Sequence, residues 1–139
     1  MTSGSQICIV DDAADYLFLL GELFSHYFPA YSVSFFADGD EFLAALPYLN
    51  PLPRLILLDR HMPHLGGHQT LLGLKEHATY KKIPVVMMSA DASADEINGC
   101  YEAGANSFIA KAANLDTLKD VLERLCRYWL EMNRTPTNL

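Results

Sequence analysis

A chain of 139 residues fits one folded domain and is long enough to bury roughly two thirds of the surface its unfolded form exposes. Half of the residues are hydrophobic, yet the apolar runs are far too short to span a bilayer and the polar start, Met1 to Gln6, lacks a signal-peptide pattern, so a soluble cytoplasmic protein is expected. With 17 acidic against 10 basic side chains the formal charge is −7, which argues against a nucleic-acid-binding surface and favours cations or basic protein patches as partners.

In chain order, the first apolar segment is Ile7 to Val10, followed directly by Asp11 and Asp12. Leu17, Leu20, Phe24 and Phe28 then recur at helical spacing. Ser32 to Phe36 forms a second apolar segment, and Phe42, Leu43 and Leu46 mark a second amphipathic stretch that Pro47 is expected to end. Leu55, Ile56, Leu57 and Leu58 follow without polar alternation, the pattern of a strand covered on both faces, and Asp59 stands at its tip. Leu71, Leu72 and Leu74 belong to a third helix, and Ile83 to Met88 to a fourth strand with Ser89 after it. Ser93 can cap a fourth helix, Asp95 and Glu96 suit the positive end of its dipole, and Gly104 stops it. Ser107 to Ala110 precedes Lys111, and Leu115, Leu118, Leu122, Leu125 and Trp129 step by three and four along a last helix. There is no repeat, low-complexity tract or internal linker; a single domain over 1–132 and a loose tail over 133–139 are expected. Cys8, Cys100 and Cys126 are odd in number, widely spaced and set in apolar surroundings, so they read as reduced packing residues.

Five strands alternating with five helices call for an α/β fold with a parallel, doubly wound sheet. Right-handed crossovers bring all strand C-terminal ends to one edge, where such sheets bind ligands. Asp11, Asp12, Asp59, Ser89 and Lys111 are the residues that follow those strands. Taken singly, each has an ordinary explanation: a helix cap, a loop hydroxyl, a solvated charge. Together they form a functional set, a nucleophilic carboxylate and two metal carboxylates with a hydroxyl and an ammonium. Three clustered carboxylates repel unless a cation sits among them, and hard oxygen ligands in that number suit Mg²⁺.

The motifs "CIVDDAAD", "LLDRHMPHLGG", "VVMMSAD" and "SFIAK", at these intervals, resemble the receiver domain of two-component response regulators from about Ser5 to Leu130. The resemblance implies a flavodoxin-like (βα)5 fold whose five-stranded parallel sheet has the order 2-1-3-4-5. It implies that a sensor histidine kinase or phosphotransfer protein phosphorylates Asp59, that Asp11, Asp12, Asp59 and the backbone carbonyl of His61 hold Mg²⁺, and that Ser89 and Lys111 contact the phosphoryl oxygens. Ser89 and Phe108 would then form the switch, with Phe108 rotating inward and a downstream protein target reading the result. Asp91 lies where the family tunes dephosphorylation. The chain would be a signalling phosphoacceptor taking part in its own phosphorylation and dephosphorylation, not an enzyme acting on an external substrate.

Two departures from the family pattern stand out. Ala112 follows Lys111 where the family has proline with a cis bond, and a cis bond before alanine costs about 2.5 to 4 kcal/mol, so a trans linkage is expected. Gly66 replaces an acidic residue before Gly67, which should loosen the start of the third helix. His61, His64 and His68 have helical spacing, but Pro63 and the glycines interrupt it, so surface residues near the acidic pocket are a better reading than a transition-metal site. Val121, Tyr128 and Met132 lie off the main stripe of the last helix and mark either extra core packing or a homodimer face on the fourth helix, fifth strand and fifth helix. The ending "RYWLEMNRTP" looks like that of single-domain receivers working with bacteriophytochrome-type kinases. Two other functions stay open: a phosphorylation-independent pseudo-receiver that only binds proteins, and a haloacid dehalogenase-like phosphohydrolase. The latter family expects a second aspartate where His61 stands.

Overall fold

The computed structural model describes residues 2–3, 5–62, 65–112 and 114–136. Five strands build the main sheet: β1 (Ile7–Val10), β2 (Val33–Phe36), β3 (Leu55–Asp59), β4 (Val85–Ser89) and β5 (Ser107–Ala110). Between and after them run α1 (Ala14–Tyr27), α2 (Gly39–Ala45), α3 (Gly67–Glu76), α4 (Ala94–Glu102) and α5 (Leu115–Cys126). The sheet is parallel throughout and its order is β2-β1-β3-β4-β5, the doubly wound 2-1-3-4-5 arrangement that the family resemblance implies. A separate parallel pair, Thr2–Ser3 with Leu49–Asn50, was not expected; two residues carry no periodicity to read.

The unbroken apolar run of β3 is explained by its two covered faces. Ile56 and Leu58 join the cluster that includes Phe42, Leu46, Leu71, Leu74 and Cys100, while Leu55 and Leu57 join Leu20, Leu23, Phe24, Leu118 and Leu122 on the other side. All five β3 residues are buried, Asp59 included. The three cysteines are free and buried, and burial pushes the Cys8 and Cys126 thiols up to about 12, which keeps them protonated and unreactive.

Local chemistry sets the element ends. Ser93 and Glu96 form a reciprocal capping box at the start of α4, and Gly104 ends the following turn with φ +109°, a backbone that side chains rarely adopt. Pro47 ends α2 less sharply than expected: the α-helix stops at Ala45, but Leu46–Tyr48 continues as one 3₁₀ turn with the proline near its start, where no amide is needed. β4 starts after Pro84 rather than at Ile83, since Pro84 brings no N–H to a ladder. α5 widens after Cys126 into a π-helical turn over Arg127–Met132. Among the described residues the cis peptide bond is Asn50–Pro51, so Lys111–Ala112 is trans, as the alanine predicts.

Candidate functional site

Register brings the key residues level. Val10 pairs with Leu58 and Asp59 with Met88, so Asp11 and Asp59 stand side by side at the carboxyl edge, and Ser89, paired with Ala110, lies one residue further along β4. Asp11 turns the chain into α1: its backbone N–H donates to Phe36 O at 3.0 Å, and its Oδ1 accepts the Ala13 N–H at 2.9 Å. The α1 N-cap is Ala13, without a side-chain cap, so neither Asp11 nor Asp12 plays the capping role that sequence alone allowed. Ligand oxygens of Asp11, Asp12 and Asp59 lie within 4.8 Å of one another; Asp11 and Asp59 are buried and Asp12 is exposed.

Lys111 closes the group. Its Nζ lies 2.7 Å from Asp11 Oδ2 and 3.3 Å from Asp59 Oδ1, and its backbone N–H donates to Ser89 O at 3.0 Å, which fixes where the side chain starts. The ammonium is the close partner of Asp11 Oδ2, a fully buried carboxylate oxygen whose second lone pair stays unused. Ser89 is buried, and its Oγ accepts the Asp91 N–H at a long 3.4 Å.

One ammonium stands against three carboxylates, and the imbalance shows in proton affinities. Burial first, then the neighbouring Asp11, pushes the Asp59 carboxyl up to about 6, with Lys111 opposing. Burial works to strip Lys111 of its proton, but Asp11 and Asp59 outweigh it and hold the ammonium more tightly than usual. A buried oxygen with spare capacity, clustered carboxylates and a strained negative charge are what a hard divalent cation with retained waters relieves, so the donor set fits such an ion.

The loop after Asp59 is held by the backbone. Arg60 N–H donates to Met88 O at 2.9 Å, and Gly67 N–H donates to Arg60 O at 3.0 Å. Gly66–Gly67 does not loosen the start of α3, contrary to expectation. A Cβ on Gly67 would fall 2.1 Å from Asp59 O and 2.7 Å from Arg60 Cα, so the missing side chain is what lets α3 close onto the end of β3. The Arg60 side chain runs to α4, where its Nη1 meets Glu96 Oε2 at 2.7 Å; the His61 ring, exposed, lies 3.7 Å from the same oxygen. The Ser93 backbone N–H, ahead of Arg60, holds the Glu96 carboxyl below its ordinary range. His64 and Pro63 lie outside the described residues, and among those described the metal-competent group is the aspartate trio, not a histidine set.

Phe108 is half-buried against the cluster containing Met87 and Phe36, and its N–H donates to Tyr101 Oη at 3.1 Å. Two neighbours of the site escaped the sequence reading. Tyr16 places its ring 4.7 Å from Lys111 Nζ, and Arg60 reaches α4. Tyr16 carried a usable signal, lying four residues after Asp12 and so one helical turn into α1; Arg60 carried none, because its partner is distant in sequence.

Residues 7–123 match the family described as the response regulator receiver domain. The probable methanogenesis regulatory protein FilR2 of Methanothrix harundinacea is 31% identical over 137 residues, covering 94% of this chain and 86% of that protein. Response regulator Rcp1 of Synechocystis is 31% identical over 102 residues, covering 68% of this chain and 69% of its own length; the structure of an Mn²⁺-bound form of Rcp1 superposes with TM-score 0.83 at 27% identity, covering 96% of this chain and 99% of that one. The structure of the phosphorylated cyanobacterial phytochrome response regulator RcpA superposes with TM-score 0.85 at 29% identity, with the same coverage. Family match, sheet order and the level carboxylates agree: this chain belongs to the response regulator receiver family of two-component signalling.

Proposed function

We propose that this chain is a phosphoacceptor switch, residues 1–132 forming the receiver, in which Asp59 takes a phosphoryl group from a sensor histidine kinase or phosphotransfer protein; the end of the expected tail over 133–139 lies outside the described residues. The observation that carries this reading is the Lys111 ammonium, shared at 2.7 Å and 3.3 Å between Asp11 and Asp59 at one sheet edge. A carboxylate oxygen of Asp59 attacks phosphorus in line, the bond from phosphorus to the donor breaks, and the donor leaves with its electron pair; the product is an acyl phosphate. Asp11, Asp12, Asp59 and the His61 carbonyl are the proposed Mg²⁺ ligands. When bound, the ion neutralises charge between the carboxylates and the phosphoryl oxygens. Lys111 holds the far side of the group, and Ser89 supplies a hydroxyl to it.

On this reading Ser89 moves toward the phosphoryl group and Phe108 turns inward behind it, shifting the loop after β4, α4 and β5. A downstream protein target or a second copy of the chain would read the change on α4, β5 and α5, where Ile109, Val121, Leu125, Tyr128 and Trp129 line a groove of about 520 Å³. The likeness to RcpA, a phytochrome response regulator, supports a phytochrome-type kinase as donor. The hydrolase reading is weakened by His61, which stands where a second catalytic aspartate would be needed and whose ring lies by Glu96.

Incubation with acetyl phosphate and Mg²⁺ followed by intact-mass measurement tests the reading. One phosphoryl adduct, lost in Asp59→Asn, is expected; no adduct, or one that survives the substitution, overturns it. Turnover of an external phosphate ester would favour the hydrolase, and size measurement with and without beryllofluoride tests the dimer.

A further inference from the structure

Lys111 has three walls around its ammonium, and two of them are carboxylates. The third is Tyr16, whose ring centroid lies 4.7 Å from Nζ, within the range at which the negative face of an aromatic ring attracts a cation. The ring is not free to drift. Asp11 Oδ1 accepts the Ala13 N–H and so sets the entry to α1, Leu17 N–H donates to Ala13 O at 3.0 Å, and Tyr16 packs half-buried against the cluster of Ile7, Ile9 and Leu20. Asp11 therefore both receives the ammonium and sets the turn that presents the ring to it. On the Lys111 side the backbone N–H is held by Ser89 O, and beyond it Ala112, joined by an ordinary trans bond, packs against the same cluster as Tyr16 and offers only a methyl group.

We propose that Tyr16 is a positioning residue for phosphoryl transfer: its ring face holds the Lys111 ammonium over Asp11 and Asp59 and shields it from water, a task that the loop through Ala112 leaves open. This rests on the phosphoacceptor reading for its consequence but not for its geometry. The hydroxyl has no part in it, so the ring alone decides the outcome. Burial, ahead of Asp11 and Asp59, raises the affinity of the phenol for its proton while Lys111 lowers it, which agrees with a neutral ring facing the ammonium.

Two substitutions separate an electrostatic ring from mere apolar cover. Tyr16→Phe keeps the face; Tyr16→Leu keeps apolar volume and removes it. In phosphorylation by acetyl phosphate, Tyr16→Leu is expected to lower the rate at saturating Mg²⁺ roughly five- to tenfold, the size of a partly desolvated cation–π contact, and to leave the Mg²⁺ midpoint within about twofold. Tyr16→Phe is expected to stay within about twofold of the unaltered protein, and in a Lys111→Met background Tyr16→Leu should cost nothing further. A rate loss equal in Phe and Leu variants, or one additive with Lys111→Met, overturns the proposal, as does an unaffected rate in a Tyr16→Leu protein that melts normally. Reductive methylation of Lys111, followed by peptide mass, decides the geometry without phosphorylation: severalfold faster labelling is expected in Tyr16→Leu and not in Tyr16→Phe, and equal rates in all three overturn it. Should the unaltered chain accept no phosphoryl group, the phosphoacceptor reading falls by itself, and the labelling result still decides the placement of Lys111.

Discussion

At the carboxyl edge of the sheet, Asp11, Asp59 and Ser89 are 0%, 4% and 2% exposed, polar groups sunk where apolar ones would be cheaper. In the π-helical turn that follows α5 the pattern is reversed: Tyr128 and Met132 are 49% and 63% exposed, apolar surface left where polar groups would be at home. Both regions go against the simple rule of burial, in opposite senses and for different ends. A buried carboxylate is a poorly solvated, fixed nucleophile, and its repulsion from neighbouring charge is a standing cost that a cation relieves. An exposed apolar face carries no reactivity and loses water only when another surface covers it. The lesson is that the buried polar cluster and the exposed apolar surface occupy separate parts of the molecule, linked through β4 and β5, at whose C-terminal ends Ser89 and Lys111 stand.

Substitutions that change one region and spare the other sharpen this contrast. The largest effect is expected from Asp59→Asn, which should abolish the acyl phosphate outright, read as loss of the adduct in the mass spectrum, while α5 keeps its helical signal. Next comes the pH dependence of stability in metal-free protein. The Asp59 carboxyl binds its proton up to about pH 6 when folded against 3.8 ordinarily, so the folded chain holds more protons than the unfolded one between those values. Stability from this group is therefore fully present below about pH 4 and falls as pH rises through about 6, by at most ~3 kcal/mol. Urea unfolding with EDTA should show Asp59→Asn more stable than the unaltered chain at pH 7.5 and not at pH 4, and saturating Mg²⁺ should narrow the gap; a gap of the same size at both pH values would refute the account.

Gly67→Ala is the third. A Cβ 2.1 Å from Asp59 O forces α3 away from the acceptor loop, and overpacking of this kind costs about 1–3 kcal/mol, measurable as a lower urea midpoint together with slower phosphorylation. The smallest effect is expected at Tyr128→Ala, where an exposed ring contributes within about 0.5 kcal/mol to folding. Phosphorylation rate should not change, whereas beryllofluoride-dependent self-association, if it uses this face, should weaken. A large loss of stability there would mean that Tyr128 belongs to the core after all.

Much of the carboxyl edge was legible because a parallel sheet turns sequence order into spatial position. A residue one step past an apolar run, such as Asp59 or Lys111, must lie at the common edge, whatever the rest of the chain does. The 2-1-3-4-5 order came through the family resemblance, and the buried run Leu55–Leu58 had already required cover on both faces. What could not be read depends on contacts between distant residues or on backbone approach. Gly67 looked like a source of slack until its hydrogen atom was seen to face Asp59 O, and nothing in "LGGH" announces that distance. The Arg60–Glu96 pair joins the loop after β3 to the first turn of α4, across α3 and β4, and the π turn after Cys126 continues an apolar stripe that reads as an ordinary helix. Thr2–Ser3 pairs with Leu49–Asn50 over two residues, too short a stretch to leave a mark on the side-chain pattern.

The Tyr101 hydroxyl accepts the N–H of Phe108, on the strand that ends the sheet. An outermost strand offers its free amides to any extended segment that comes by, and so is a seed for unwanted pairing between molecules. By occupying one of those amides from α4, Tyr101 blunts the border on the side where β5 meets solvent, at no cost to the apolar surface beside it. The same bond must break if α4 and β5 part, so one phenolic oxygen both covers an edge amide and ties the strand to the helix beside it.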